Sequence, residues 1–354
     1  MSLRFLQANV GNINVAGCND EVVKLCLAPV EDRTRASIAR LRPEIMAIQE
    51  TLPDQVCSEV PASSPSLANT ANLCAPGTRR GGNQVDRLLP PQTYDTRCNS
   101  VLTSATYPPP WDCLAVDRSR GSIVSYATLP AVVGCDNGFT VNIARVRIDG
   151  RDMQVTSAHP ESGTGTGTAG GPTREQCRAA QLSGLFATLG EHPELPTIVS
   201  GDFNLDPYRR SDVSIDVWHS FVGLVERPYL YRSGAAEDAA SPPLSDNNSG
   251  VSQNDPTGLL LDGPSQVDVA AAGGTLDHVA ASHDIDGPCT TLNGTGPGRD
   301  RLDGGGGMDH KAISCALSLA AVAPALPETR WPALALLTGV AAAGLMARRR
   351  RRMP

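Results

Sequence analysis

Apolar and polar residues alternate from the start of the chain, and LRFLQANV reads as a strand over residues 3–10. Residues 11–29 read as a loop. VEDRTRASIARLR (30–42) carries apolar Ala36, Ile38, Ala39 and Leu41 behind an acidic start, the pattern of a short helix, and Pro43 ends it. EIMAIQ (44–49) is a buried strand, so the chain begins strand, helix, strand, the opening of an α/β layer. Residues 52–115 are rich in Pro, Ser, Asn, Gly and Cys and read as a long surface insertion. Residues 121–129, 139–148 and 152–158 read as strands, the last two joined at a tight Gly150 turn. A glycine loop fills 162–172. A helix spans 173–191 with Ala180, Leu182, Leu185, Phe186 and Leu189 inward. The strand Pro196–Ser200 leads into Gly201-Asp202-Phe203-Asn204, with Phe203 aimed at the core. Residues 205–270 combine a short helix, Val213 to Val222, with a second polar insertion. Strands at 275–282 and 310–317 flank a loop holding glycines 304–307. No repeat and no internal boundary appears, so residues 1–320 read as one domain with insertions near 52–115 and 205–270.

Composition changes this picture in three ways. Aromatics are 4% of the 354 residues against 40% apolar overall, so the core is built from Val, Leu, Ile and Ala. A net charge of -7 argues against a broad basic surface, which weakens tight nucleic-acid binding but leaves phosphodiester turnover open. Ten cysteines with no CxxC pair exclude a zinc ribbon. Cys18, Cys26, Cys57, Cys74, Cys98, Cys113 and Cys135 lie in or beside Gly/Pro-rich loops, which favours disulfides in an oxidising compartment. Their pairing stays open.

The first residues show no export-signal pattern, and a leader outside this sequence would reconcile that with the cysteines. Trp331 to Ala347 is almost wholly apolar, and Arg348 to Arg352 follow at once. As a helix at ~1.5 Å per residue this stretch is about 25 Å long, just short of a ~30 Å hydrocarbon core. Leu326-Pro327-Glu328-Thr329-Arg330 precedes it, and the whole resembles a bacterial surface-sorting tail of LPxTG type, with Arg330 where Gly is expected. Residues 321–354 thus read as a membrane anchor or sorting tail, and the protein as cell-surface or membrane-anchored; a last amphipathic helix is the plainer reading.

The chemistry collects at strand ends. Asn9 and Glu50 end the first two strands, His159 ends a hairpin strand, and Asp202 and Asn204 follow another. Asp277 lies near the start of a late strand, and Asp309-His310 begin the last. Taken singly, each has a bland explanation: a cap, an Asx turn or a core histidine. Together they mark the place where α/β layers hold ligands. Glu50 is a hard oxygen donor suited to Mg²⁺, and an imidazole such as His310 titrates in the range a general base needs.

QANVGN (7–12), AIQE (47–50), SAHPES (157–162), SGDFNLDP (200–207), LDHVAAS (276–282) and MDHKAI (308–313), in this order, resemble the endonuclease/exonuclease/phosphatase family of metal-dependent phosphoesterases. The resemblance spans about residues 3–317. It implies a four-layer α/β sandwich of two packed mixed β-sheets flanked by helices. It makes Glu50 the principal metal ligand, with Asn9 and Asp309 nearby, and Mg²⁺ (or Mn²⁺ or Ca²⁺) the cofactor. It makes His310 the base that activates water, oriented by Asp277, and assigns Asp202 and Asn204 to the water or metal and the phosphate. His159 places the chain with the two-histidine deoxyribonuclease and sphingomyelinase branch, where this residue assists the phosphate or leaving oxygen. Arg178 and Gln181 match a family helix in a structural role. His278, facing away from Asp277 along its strand, reads as structural, and His192, His219 and His283 as surface residues. Arg120 and Arg174 are candidate phosphate contacts.

The resulting expectation is an extracellular or surface-anchored endonuclease acting on DNA or RNA, with the membrane met through the tail and no protein partner. A sphingomyelin or phospholipid phosphodiesterase, or an inositol-phosphate phosphatase, is the alternative. Its best membrane-entering feature is Tyr107-Pro108-Pro109-Pro110-Trp111. A non-catalytic surface module is the third reading.

Overall fold

The computed structural model describes residues 1–11, 27–60, 62–99, 111–135, 139–163, 171–205, 212–223, 227–231, 277–292, 300–304, 308 and 310–320. Asp309, Cys18, Cys26, Tyr107 to Pro110, most of the 205–270 insertion and the tail 321–354 lie outside the described residues. Among the described residues no helix is long and apolar enough to cross a membrane.

Among the described residues fourteen strands form two mixed sheets. The first contains β1 (Ser2–Asn9), β2 (Ile45–Thr51), β3 (Tyr94–Cys98), β4 (Trp111–Asp117), and β12 (Ile285–Asp286), β13 (Cys289–Thr291) and β14 (Ile313–Leu319). Its order is β12-β14-β1-β2-β4-β3, with β13 also on β14; β1 and β2 run parallel and the other pairs antiparallel. The second contains β5 (Gly121–Thr128), β6 (Thr140–Ile148), β7 (Arg151–His159), β8 (Thr197–Asp202), β9 (Val222–Gly223), β10 (Tyr229–Tyr231) and β11 (Asp277–Ser282). Its order is β5-β6-β7-β8-β11-β10-β9, with β7–β8 and β9–β10 parallel.

The sheets pack face to face. Leu3 and Phe5 of β1, Ile45 and Ala47 of β2, and Leu114 and Val116 of β4 meet Val146, Met153, Val155, Ile198, Val279 and Ala281 of the other sheet. Their period of two along each strand puts them on one face. Each large side chain so buried contributes roughly 1.5–3 kcal/mol. The opposite face of the first sheet, with Leu6, Ala8, Met46 and Ile48, packs on α1 (Ala28–Leu41) and α3 (Gln84–Leu88) through Val30, Ile38, Val85 and Leu88. A short α2 (Val56–Glu59) lies between them in sequence. The outer face of the second sheet carries α4 (Arg174–Leu189) and α5 (Val213–Phe221), with Leu182, Leu185 and Phe186 against Val141, Val199, Phe203 and Trp218. Thr173 and Gln176 close a capping box at the start of α4. The four layers are those the resemblance implied.

One stretch differs from its sequence reading. Residues 52–115 are not all surface insertion: they supply β3 and β4, and β4 lies directly beside β2 in the sheet. Proline- and serine-rich surroundings hide WDCLAVD, a strand whose Asp112 to Val116 are fully buried. The disulfide expectation is met by Cys57–Cys74, Cys98–Cys113, Cys135–Cys177 and Cys289–Cys315. The first two staple this stretch, and the third ties the β5–β6 loop to α4.

Candidate active site

The described polar strand ends converge at one pole of the sandwich. β1 delivers Asn9, β2 Glu50, β7 His159 and β8 Asp202, followed by Asn204. β11 begins with Asp277, paired across the ladder with Asp202, and His310 comes just before β14. Every one of these side chains is buried, with exposures of 0–8%.

Two glycines make this convergence possible. A Cβ on Gly11 would stand 2.0 Å from Glu50 Oε2 and 3.1 Å from Asn9 Oδ1, so the chain leaves no side chain where these oxygens gather. A Cβ on Gly201 would stand 2.1 Å from the Ala158 carbonyl oxygen, where β8 presses on β7. Glu50 and Asn204 themselves hold left-handed backbone, φ 59° and 52°. Glu50 does so inside a register shift between Ile48 and Thr51, a bulge that re-aims its side chain. Left-handed backbone at non-glycine residues costs of order 1–3 kcal/mol and clusters at functional sites.

The two histidines are held alike, one from each side. His310 Nδ1 is 2.9 Å from Asp277 Oδ2, and its Nε2 is 3.7 Å from Asp202 Oδ2. His159 Nδ1 is 3.3 Å from Asp112 Oδ1, and its Nε2 is 3.8 Å from the same Asp202 oxygen and 3.8 Å from Glu50 Oε1. A carboxylate accepts only, so each Nδ1 carries the proton and each Nε2 faces the shared space around Asp202. Asn9 Nδ2 donates to Asp202 Oδ2 at 2.9 Å, and Asn9 Oδ1 accepts from Gly11 N–H at 2.8 Å. Asn204 N–H donates to Asp202 Oδ1, and Asn204 Nδ2 to the Pro160 carbonyl, both at 3.0 Å. One of the two Asn204 amide hydrogens is therefore committed to the loop after β7.

The electrostatics follow from burial against neighbours. Burial pulls His159 down, but Asp112, then Asp202 and Glu50, outweigh it and raise its pKa to about 9. Burial acts to raise Asp202, and the two histidines, the Asn9 amide and the Asn204 N–H bring it below the usual carboxylate range. Asp277 ends above that range, because its burial, reinforced by Asp202, outweighs the pull of His310 and Gln7.

Glu50, Asp112, Asp202 and Asp277 are four buried carboxylates facing two histidines. That surplus of negative charge, with the Asn9 amide oxygen beside Glu50 at Gly11, fits a hard divalent cation that prefers oxygen donors. Asp202, Asp277 and His310 also offer ligand atoms within 4.8 Å of one another. The Asp277–His310 hydrogen bond already uses two of these groups, so the Glu50–Asn9 side suits an ion better. The third ligand expected there, Asp309, lies outside the described residues.

Several contributors carry no motif signal. Asp112 orients His159, receives Thr140 Oγ1 and the Glu50 N–H, and sits in the overlooked β4. The short apolar run after it, Cys113 to Val116, was the available clue. Gln7 Nε2 donates to Asp277 Oδ1 at 3.0 Å and to Gln49, whose Nε2 donates to Ser157 Oγ at 2.8 Å. This chain of amides crosses from one sheet to the other. Arg178, fully buried, donates to the carbonyls of Glu161 and Gly163, and Gln181 accepts from the Glu161 N–H, so α4 fixes the loop after His159. His278 Nε2 donates to the Leu205 carbonyl and packs on Trp218, inside the core. His192, His219 and His283 are exposed. Arg174 binds the Ser162 carbonyl, and Arg120 lies at the opposite pole on Glu44 and Asp149, so it does not reach the site.

No family model matches the sequence, and no curated protein matches it significantly. Solved structures do. The human Nocturnin catalytic domain with bound sulfate anion is 15% identical, with 90% of this chain and 94% of that one covered and a TM-score of 0.51. D. rerio TDP2 complexed with single-strand DNA product is 15% identical, with 90% and 99% covered and a TM-score of 0.53. An endonuclease/exonuclease/phosphatase from Bacteroides vulgatus is 12% identical, with 90% and 99% covered and a TM-score of 0.53. The chain thus has the fold of the endonuclease/exonuclease/phosphatase structures. At these identities the likeness is one of fold.

Proposed function

We propose that this protein is a divalent-metal-dependent phosphoesterase, and specifically a surface-anchored endonuclease. One observation carries the chemistry: two carboxylate-held histidines aim their Nε2 atoms at the same oxygen of Asp202, from 3.7 and 3.8 Å. With its Nδ1–H committed to Asp277, His310 presents an Nε2 lone pair that takes the proton of an attacking water. Asp202 holds that water in line with phosphorus. His159, a cation at neutral pH, donates from Nε2 to a phosphate or leaving oxygen on the other side. The second Asn204 amide hydrogen faces a non-bridging oxygen. Glu50 and Asn9, with Asp309, are the residues that would hold the ion, which when bound supplies charge neutralisation at the phosphate.

The substrate preference rests on two supports: the two-histidine pattern, and a TDP2 neighbour of the same fold complexed with single-strand DNA product. The anchor rests on the sequence of residues 321–354. The test is hydrolysis of plasmid DNA, sphingomyelin, a phosphoinositide and a generic phosphate ester, each with Mg²⁺ and with EDTA. Cleavage of DNA with Mg²⁺ alone is the expected outcome. Turnover of sphingomyelin without DNA cleavage would move the assignment to lipids, and inertness towards all four would remove the enzyme reading.

A further inference from the structure

At the pole opposite the histidines, where β1 and β2 begin and β4 ends, a cleft of about 890 Å³ opens between α1 and the β4–β5 turn. Its size lies within the range of small-molecule sites. Its charged lining runs against the protein's net charge of -7: Arg4, Arg35, Arg42, Arg118 and Arg120 face Asp32, Glu44 and Asp117. The floor is apolar, with Ile38, Leu88, Pro90 and Tyr94.

The arginines are not equivalent. Arg4 and Arg120 share the buried Glu44, and Arg120 also binds Asp149. Arg35 sits on Asp32, which Arg80 also holds. Two guanidiniums make no hydrogen bond to a carboxylate among the described residues. Arg118 spends its Nε on the carbonyls of Pro91 and Tyr94, which fixes its orientation, while its Nη2 lies 3.6 Å from Asp95, beyond a hydrogen bond. Arg42 is the left-handed C-cap of α1, φ 48°, and its exposed side chain makes no hydrogen bond or ion pair among the described residues. Guanidinium forks match phosphate oxygens in pairs, and an apolar floor accepts the body that carries them.

We propose that this cleft is a second anion site, distinct from the catalytic pole, that takes a phosphate group borne on an apolar or aromatic body, with Arg42 and Arg118 as its principal donors. Two sources share that chemistry, a free nucleotide and a lipid headgroup.

The test uses the full chain in EDTA, where four buried carboxylates at the other pole repel phosphate. Inorganic phosphate and AMP are titrated by calorimetry, and phosphatidylglycerol vesicles are compared with phosphatidylcholine vesicles by co-sedimentation. Saturable binding is expected, tighter for AMP than for inorganic phosphate if the source is a nucleotide, or selective for phosphatidylglycerol if it is a lipid. Arg42→Glu/Arg118→Glu should weaken it roughly tenfold or more, as loss of charge-assisted contacts implies. Hydrolysis with Mg²⁺ should be unchanged. Arg42→Ala, which removes no internal contact, should show the same direction with an unaltered Tm. Absence of binding by every probe, or binding indifferent to both variants, would overturn the site.

Discussion

The layer between the two sheets is built twice on the same strands. Towards one pole β1 contributes Leu3 and Phe5, β2 Ile45 and Ala47, and β7 Met153 and Val155, all apolar. Towards the other, at the next positions on the same faces, come Gln7 and Asn9, Gln49, and Ser157 and His159, all buried and polar. β4, running the other way, gives Val116 and Leu114, then Asp112. The alternation of faces along the strands does not demand the switch, because both halves share it. The apolar half supplies stability. The polar half costs stability, since buried charges are tolerated only when paired and hydrogen-bonded. The proposed phosphoester chemistry is what would use the four carboxylates kept there.

That contrast can be broken from either side. His310→Ala is expected to lower turnover by about 10³-fold, within the range for a general base, with Tm hardly moved; initial rates and a melting curve check it. Phe5→Ala, in the other half, should do the reverse. It should cost about 3–5 kcal/mol of stability in denaturant titration and leave specific activity near normal well below its Tm. Gln7→Leu lies between the two. It removes the donor to Asp277 Oδ1 and should cost about 1–3 kcal/mol, with a fall of roughly tenfold in kcat and little change in KM.

The smallest effect is one of pH. The folded pKa of His159 is raised from 6.5 to about 9. The stability this gives is fully present below pH 6.5 and is lost as pH rises through about 9. In EDTA the Tm should therefore fall between these limits. A divalent ion held by Glu50 and Asn9 would offset part of the carboxylate charge that raises His159, so Mg²⁺ should make the decline shallower without abolishing it. A flat profile in EDTA would contradict the burial of His159 among carboxylates.

Much of this was legible in the sequence, for reasons that are physical. The strands β1, β2, β5, β6, β7, β8 and β11 announce themselves by period or apolar run, and their polar last or first residues mark the site. Phe203 was readable because an apolar residue between two polar site residues turns into the core. β4 was not legible, because its residues lie among the prolines and cysteines of 52–115, and with it Asp112 was lost. Gln7 and Gln49 stand in QANVGN and AIQE, but their bond is between strands far apart in sequence, and pairing of that kind has no local signature. Arg120 showed the converse: a cation beside a strand is no guide to which pole it serves.

The central claim is that the polar half performs metal-dependent phosphoester hydrolysis with His310 as base. It is tested most directly by initial rates on plasmid DNA and a generic phosphodiester, for the unaltered protein and for His310→Ala, with Mg²⁺ and with EDTA. The account predicts turnover by the unaltered protein with Mg²⁺ alone. Retention of more than a few per cent of that rate by His310→Ala, or undiminished turnover in EDTA, would contradict it.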